Sequence, residues 1–307
     1  MAYLPMDPTG TRKRPLGLNT AKTEMQQLQS GEVLEVFGAI TVATTDGDLM
    51  LAPHGTGALR VSNAGNARGD YAVDLQRRST LATQVPSGFG SGILGGVNNT
   101  VSGTASVICG GSTNVISGQS SVIVGGFENT ISGNYSSIIN GQYHTVSAYG
   151  CTIIGGAECY LRHYGSIGHS SGMFEEVGDA QRQVNMLRCV TSATDQEELF
   201  LDGDSGSYAL TLVYGDVVYY TIKIMGTKKN TQTSTYCEKI EGIITRTAGG
   251  TQHVAGPTVI RTFGASLGTI TVDDPDHWLR IQVTPNTEDE VWWCAVVDML
   301  WVNGYVA

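Results

Sequence analysis

The chain has 307 residues, of which 40 are glycine, 18 are Lys or Arg and 28 are Asp or Glu. Glycine is about one residue in eight, against a usual share of about 7%, but no Gly-X-Y period accompanies it, which excludes a collagen. A hydrophobic content of 41% excludes a disordered polyelectrolyte, and a net charge of -10 without a basic stripe argues against nucleic-acid binding.

Residues 1–30 read as an arm. Pro5, Pro8 and Pro15 favour extended chain, and Arg12, Lys13 and Arg14 are either a solvated charge run or a docking element. Residues 19–30 predict a short helix capped by Asn19 or Thr20, with Ala21, Met25 and Leu28 on one face. The opening lacks the apolar core of a secretory signal, and no run of 18 apolar residues offers a membrane helix. Neither export nor membrane insertion is expected.

Residues 31–88 predict a β-rich shoulder. Leu34, Val36, Ile40 and Val42 alternate, and Asp46-Gly47 and Gly55-Thr56-Gly57 mark turns.

Residues 89–170 carry only three charges, Glu128, Glu158 and Arg162, and repeat every fifteen residues. Ile93, Ile108, Ile123, Ile138 and Ile153 form one column, and Val101, Ile116, Ile131, Val146 and Leu161 another. Leu94, Cys109, Val124, Ile139 and Ile154 follow the first column, and Gly96, Gly111, Gly126, Gly141 and Gly156 form a glycine column. Two β-branched runs and two turns per unit predict two short strands per rung of a β-helix or β-roll. So thin a coil has little interior, so three chains wrapped about one axis are expected, with the two β-branched columns as the trimer core. A single-chain solenoid with a polar coat is the alternative. The last turn, Tyr164 to Gly168, reads as one residue short.

Residues 171–307 hold nine basic and eighteen acidic side chains. Alternating runs such as DVVYYTIKIMG and EVWWCAVVDMLWV, separated by turns, predict an antiparallel β-sandwich, with one of Trp292 and Trp293 in and the other out. The whole is therefore expected to be all-β and elongated: arm 1–30, shoulder 31–88, shaft 89–170 and knob 171–307.

Chemistry is sparse. There is no G-x-S-x-G, H-E-x-x-H, P-loop or dinucleotide fingerprint. Cys159, His163 and His169 match no standard metal spacing, and the six cysteines contain no C-x-x-C pair, so no metal, cofactor or disulfide framework is expected in a chain made in a reducing cytoplasm. Glu197-Glu198 and Asp273-Asp274-Asp276 read as solvated acidic surface, and the chain is expected not to be an enzyme. The tail aromatics, among them Tyr208, Tyr219, Trp278 and Trp292, point instead to binding. The candidate contacts are Lys228, Lys229 and Asn230 in one loop and Asp274, Asp276, His277 and Trp278 in another.

The run DGDLMLAPHGTGALRV at 46–61, the lead-in NARGDYAVDLQ at 66–76, the fifteen-residue repeat and the tail from GDAQRQ at 178–183 to VWWCAV at 291–296 resemble bacteriophage tail fibres. The repeat is more distantly similar to the heads of trimeric autotransporter adhesins, whose signal and C-terminal barrel are not expected here. The resemblance implies a homotrimer of the virion tail. Its N-terminus would be fixed to a tail or baseplate protein, with Arg12, Lys13 and Arg14 in the attachment arm. Its distal end would bind a glycan or other receptor on the host surface. It carries over no catalytic residues. A polysaccharide-degrading tailspike and a cellular surface adhesin are the alternatives.

Overall fold

A computed structural model describes residues 57–61, 65–203, 208–230, 234–275 and 277–303. The expected arm with Arg12, Lys13 and Arg14, the short helix and Asp276 lie outside the described residues. The described residues belong to one compact unit, Pro53–Ala307, and contain strands and no helix.

The first thirteen strands build a parallel β-solenoid. They are β1 (Leu59–Arg60), β2 (Val73–Asp74), β3 (Gly92–Ile93), β4 (Thr100–Val101), β5 (Val107–Ile108), β6 (Val115–Ile116), β7 (Val122–Ile123), β8 (Thr130–Ile131), β9 (Ser137–Ile138), β10 (Thr145–Val146), β11 (Thr152–Ala157), β12 (Tyr160–Leu161) and β13 (Ile167–Ser171). One ladder runs β1-β2-β3-β5-β7-β9-β11-β13 and a second runs β4-β6-β8-β10-β12. A third ladder of single bridges joins Val97, Ser112, Phe127, Gln142 and Ala157. Among the described residues the parallel stack thus reaches back to Leu59, inside the expected shoulder.

The repeat follows from its turns. Gly96, Gly111, Gly126, Gly141 and Gly156 all have positive φ, which glycine adopts without a steric penalty. A Cβ on Gly126 would lie 2.0 Å from the Gly141 carbonyl oxygen of the next rung, so the close stacking also requires glycine there.

The two β-branched columns pack inside one chain. Ile93, Ile108, Ile123, Ile138 and Ile153, and Val101, Ile116, Ile131, Val146 and Leu161, are all fully buried in a single cluster with Cys151 and Cys159. This corrects their expected place between three chains. Each rung sends one side chain inward from each main ladder, and two such side chains fill so narrow a coil. The remaining interior corners are polar, and all but the His144 Nε2 end of them is hydrogen-bonded. Asn99, Asn114, Asn129 and His144 form one buried column, and Ser106, Ser121 and Ser136 another. In the serine column each hydroxyl accepts the next backbone amide, as Ser106 Oγ does from Ser121 N at 3.1 Å, and donates to a carbonyl, here that of Gly118 at 2.8 Å. The last rung keeps the fifteen-residue register through Ile153 and then falls one residue short, as the sequence suggests, pairing Gly156 with Ser170 and Ala157 with Ser171. Gly168 pairs with Ile153, and Ile167 turns outward. A side chain on Gly168 would meet Leu161 and Cys159, so the isoleucine column ends there.

The ladder then changes direction without a break. Strand β13 pairs antiparallel with β14 (Ala180–Thr191), and the sheet continues through β22 (Val291–Asn303), β17 (Asp216–Lys228), β18 (Thr235–Thr247) and β19 (Gly250–Phe263), thirteen strands in all. A smaller antiparallel sheet gathers β15 (Glu197–Glu198), β16 (Leu210–Thr211) and β20 (Gly268–Asp273) around β21 (Trp278–Pro285). Leu279, Ile281 and Val283 of the small sheet share one core with Val218, Ile222, Trp293, Ala295 and Val297 of the large one. Period-2 alternation sets this packing and leaves a polar or mixed outer face on each sheet.

Candidate functional site

Alternation in β22 buries Trp293, whose Nε1 donates to Thr191 Oγ1 at 3.1 Å, and turns Trp292 outward, 48% exposed. Register places Trp292 between Val190 of β14 and Thr227 of β17, and Cys294 between Arg188 and Met225. These residues and Gly203 line an open cavity of about 360 Å³.

The rim of this groove carries charge. Glu290 Oε1 accepts from Trp292 Nε1 at 2.8 Å, and Glu290 Oε2 pairs with Lys229 Nζ at 2.9 Å. Lys229 Nζ also lies 5.9 Å from the centre of the Trp292 ring, within cation–π range. Lys228 Nζ pairs with Asp289 Oδ2 at 2.7 Å. The hydrogen bond from Trp292, with that from Lys229, holds the Glu290 carboxyl below its ordinary range, and Lys228 does the same for Asp289. Of the expected contacts, Lys229 is placed against the groove through the Trp292 ring, and both Lys228 and Lys229 are matched by acids. Asn230 is exposed in the adjoining turn. An indole with a carboxylate and an ammonium at its edge suits a ligand that has one flat apolar face and a rim of hydroxyls.

Of the second expected set, the described residues Asp274, His277 and Trp278 lie in and beside the β20–β21 connection of the smaller sheet, so the described candidates do not form one site. Asp274 meets His253 of β19, with Oδ2 3.4 Å from Nδ1, and His253 Nε2 lies 2.8 Å from the buried Tyr220 hydroxyl. Burial lowers the His253 pKa against the opposing pull of Asp274 and Asp273. Beside them, Arg280 clamps Asp273 through two bonds of 2.7 and 2.6 Å. Burial raises the Glu198 pKa, the charge of Arg280 opposes this, and Asp273 adds to it. The rings of His277 and Trp278 meet edge to face at 4.8 Å. Sequence reasoning missed Glu290, His253 and Arg280. His253 meets Tyr220 and Asp274 across tens of residues, which no local spacing marks, whereas Arg280 faces Asp273 across the β20–β21 hairpin.

A stack of tyrosines climbs from shaft to knob. Tyr135–Tyr149, Tyr149–Tyr164 and Tyr164–Tyr208 have ring centres 5.0, 5.2 and 4.9 Å apart. Cys159 and His163 are buried in separate hydrogen bonds, to Gln181 and to the Thr211 carbonyl, while His169 is exposed. Among the described residues no group of His, Cys, Asp or Glu is arranged to hold a metal.

No family model and no curated protein matches the chain. Similar solved structures include a tailspike protein of Acinetobacter baumannii bacteriophage Fri1, a capsular polysaccharide depolymerase, with 9% identity over 75% of this chain and 51% of that one and a TM-score of 0.28. Another is the tailspike protein of Acinetobacter baumannii phage AM24, with 8% identity over 81% of this chain and 62% of that one and a TM-score of 0.26. The chain spans about half to three-fifths of the length of these proteins. One expectation is corrected here. The absence of motifs was read as the absence of an enzyme, yet a protein similar to this chain is a depolymerase. Strand pairing brings groups such as Glu198, Asp273 and Arg280 together from distant sequence, so a missing short motif does not mark the chain as non-catalytic.

Proposed function

We propose that the chain is a phage tail component that binds a bacterial surface glycan through the outer face of its C-terminal domain. It acts as a homotrimer held to the tail by its N-terminal arm. The observation that carries this reading is the exposed Trp292 ring, edged by Glu290 and Lys229 over an open groove. The solenoid supports it by supplying a rigid stem for the domain. Three grooves on one stem multiply weak contacts, and avidity of this kind raises binding by about two to four decades. Binding of purified bacterial surface polysaccharides to the full chain and to Trp292→Ala tests the site. Equal binding by both proteins would move it elsewhere.

A second reading is glycan cleavage on the smaller sheet. It is favoured by Glu198, whose carboxyl is raised by burial, beside an Asp273 clamped by Arg280. Glycoside hydrolysis uses two carboxyl groups held in unlike environments, and here burial acts on Glu198 while Arg280 clamps Asp273 through two hydrogen bonds. Release of reducing ends from the same polysaccharides, lost in Glu198→Gln, supports this reading. No release from any of them removes it.

A further inference from the structure

Among the described residues, one face of the shaft is apolar, periodic and uncovered. Leu94, Val124, Ile139 and Ile154 are 46–60% exposed, and Cys109, in the same column, is exposed as well. Each stands next to a buried isoleucine and points the other way. The row continues across the sheet past His169 and Arg182, which is neutralised by Asp298, to Leu300 and Tyr219. From Leu94 to Tyr219 it crosses nine strands, a length of about 38 Å at a strand spacing of about 4.8 Å.

We propose that this row is the seam along which copies of the chain associate, side by side and in parallel register. The inference rests on the homotrimer reading above and replaces the buried columns as its interface. The occupant follows from the spacing. A ridge with one apolar side chain per rung is matched along its whole length only by a surface with the same rung height, and the chain itself supplies one. No outward residue of the shaft part of the ladder, at 92, 94, 107, 109, 122, 124, 137, 139, 152 or 154, is charged, so close approach desolvates no ion there. A partner need cover a width of only about 20 Å along this strip to reach the roughly 800 Å² per partner of a standard stable interface. Parallel register also sets every Trp292 groove at the same end. In that register Cys109 faces Cys109. In an antiparallel pair centred on Val124, Cys109 would face Ile139 instead.

The native thiol supplies the test. Sedimentation of the full chain is expected to give the mass of three chains. A short bismaleimide should then yield a covalent dimer on a denaturing gel, and Cys109→Ser should abolish it. Ile139→Glu, on the exposed face, should reduce the mass to one chain with an unchanged circular dichroism spectrum. The crosslink itself needs no altered fold. A three-chain mass with no Cys109-dependent crosslink would overturn the seam and leave the trimer standing. A one-chain mass for the unaltered protein would overturn both.

Discussion

Asn114 and Asn129, fifteen residues apart, are joined through one oxygen. Asn114 Oδ1 accepts the backbone amide of Asn129 at 3.0 Å and its side-chain Nδ2 at 3.1 Å. The same bonds join Asn99 to Asn114. Below, Gln76 Oε1 accepts the Asn99 amide at 3.0 Å, and above, His144 Nδ1 accepts the Cys159 amide at 3.1 Å. The column is buried, so each bond replaces one that water would otherwise make.

Asn114→Ala leaves buried amides and carbonyls of two rungs without partners. Each unsatisfied group costs about 1–3 kcal/mol, so the variant should lose at least that much unfolding free energy in urea. A change below about 0.5 kcal/mol, the level of an ordinary surface substitution, would remove the ladder from the account of stability.

Ile123→Ala tests where the isoleucine column packs. Ile123 is fully buried within one chain, so the substitution should cost about 2–5 kcal/mol of chain stability and leave the oligomer mass unchanged below the unfolding transition. Dissociation into folded single chains would return this column to an interface between copies.

Acid should weaken the fold through two histidines. Burial lowers both His144 and His163 to about 4, with the Arg162 charge assisting at His163. The fold therefore favours the neutral rings, while the unfolded chain takes up protons first as pH falls. Their contribution is complete above about pH 6.5 and is lost between about 6.5 and 4. His144 Nε2 is also buried without a partner. His144→Asn restores the residue of the column and should shrink the drop in melting temperature between pH 7 and pH 5. An unchanged drop would assign the acid loss to other groups.

The small-residue site Gly126 should tolerate no side chain. It has a φ of 100°, and a Cβ there would meet the Gly141 carbonyl oxygen. Gly126→Ala should destabilise the shaft by more than the ~1 kcal/mol that left-handed backbone alone costs an L-residue. A melting temperature within a degree of the parent would show that the rungs can spread.

Local pattern made the shaft legible. The fifteen-residue columns, the glycine turns and the two strands per rung can all be read directly, because each rung repeats its neighbour's chemistry. The direction of packing was not legible from Ile123 or Ile131 alone, since a buried face looks the same whether it meets its own coil or another chain. The exposed Val124 and Ile139, one residue further on, carry the signal that separates the two cases. In the knob, alternation predicted one tryptophan in and one out without saying which. The Asp274–His253–Tyr220 chain was hidden, because β17 and β19 are joined only through the intervening β18. The same long-range pairing hides the grouping of Glu198 with Asp273 and Arg280.

The central claim is glycan binding at the Trp292 groove. Its most direct test is the binding of the full chain to an array of purified bacterial capsular and O-antigen polysaccharides, with Trp292→Ala measured alongside. The account predicts binding to at least one polysaccharide and a loss of tenfold or more in the variant, whose exposed substitution should leave the melting temperature unchanged. Binding to none of them, or binding that the variant retains in full, would contradict it.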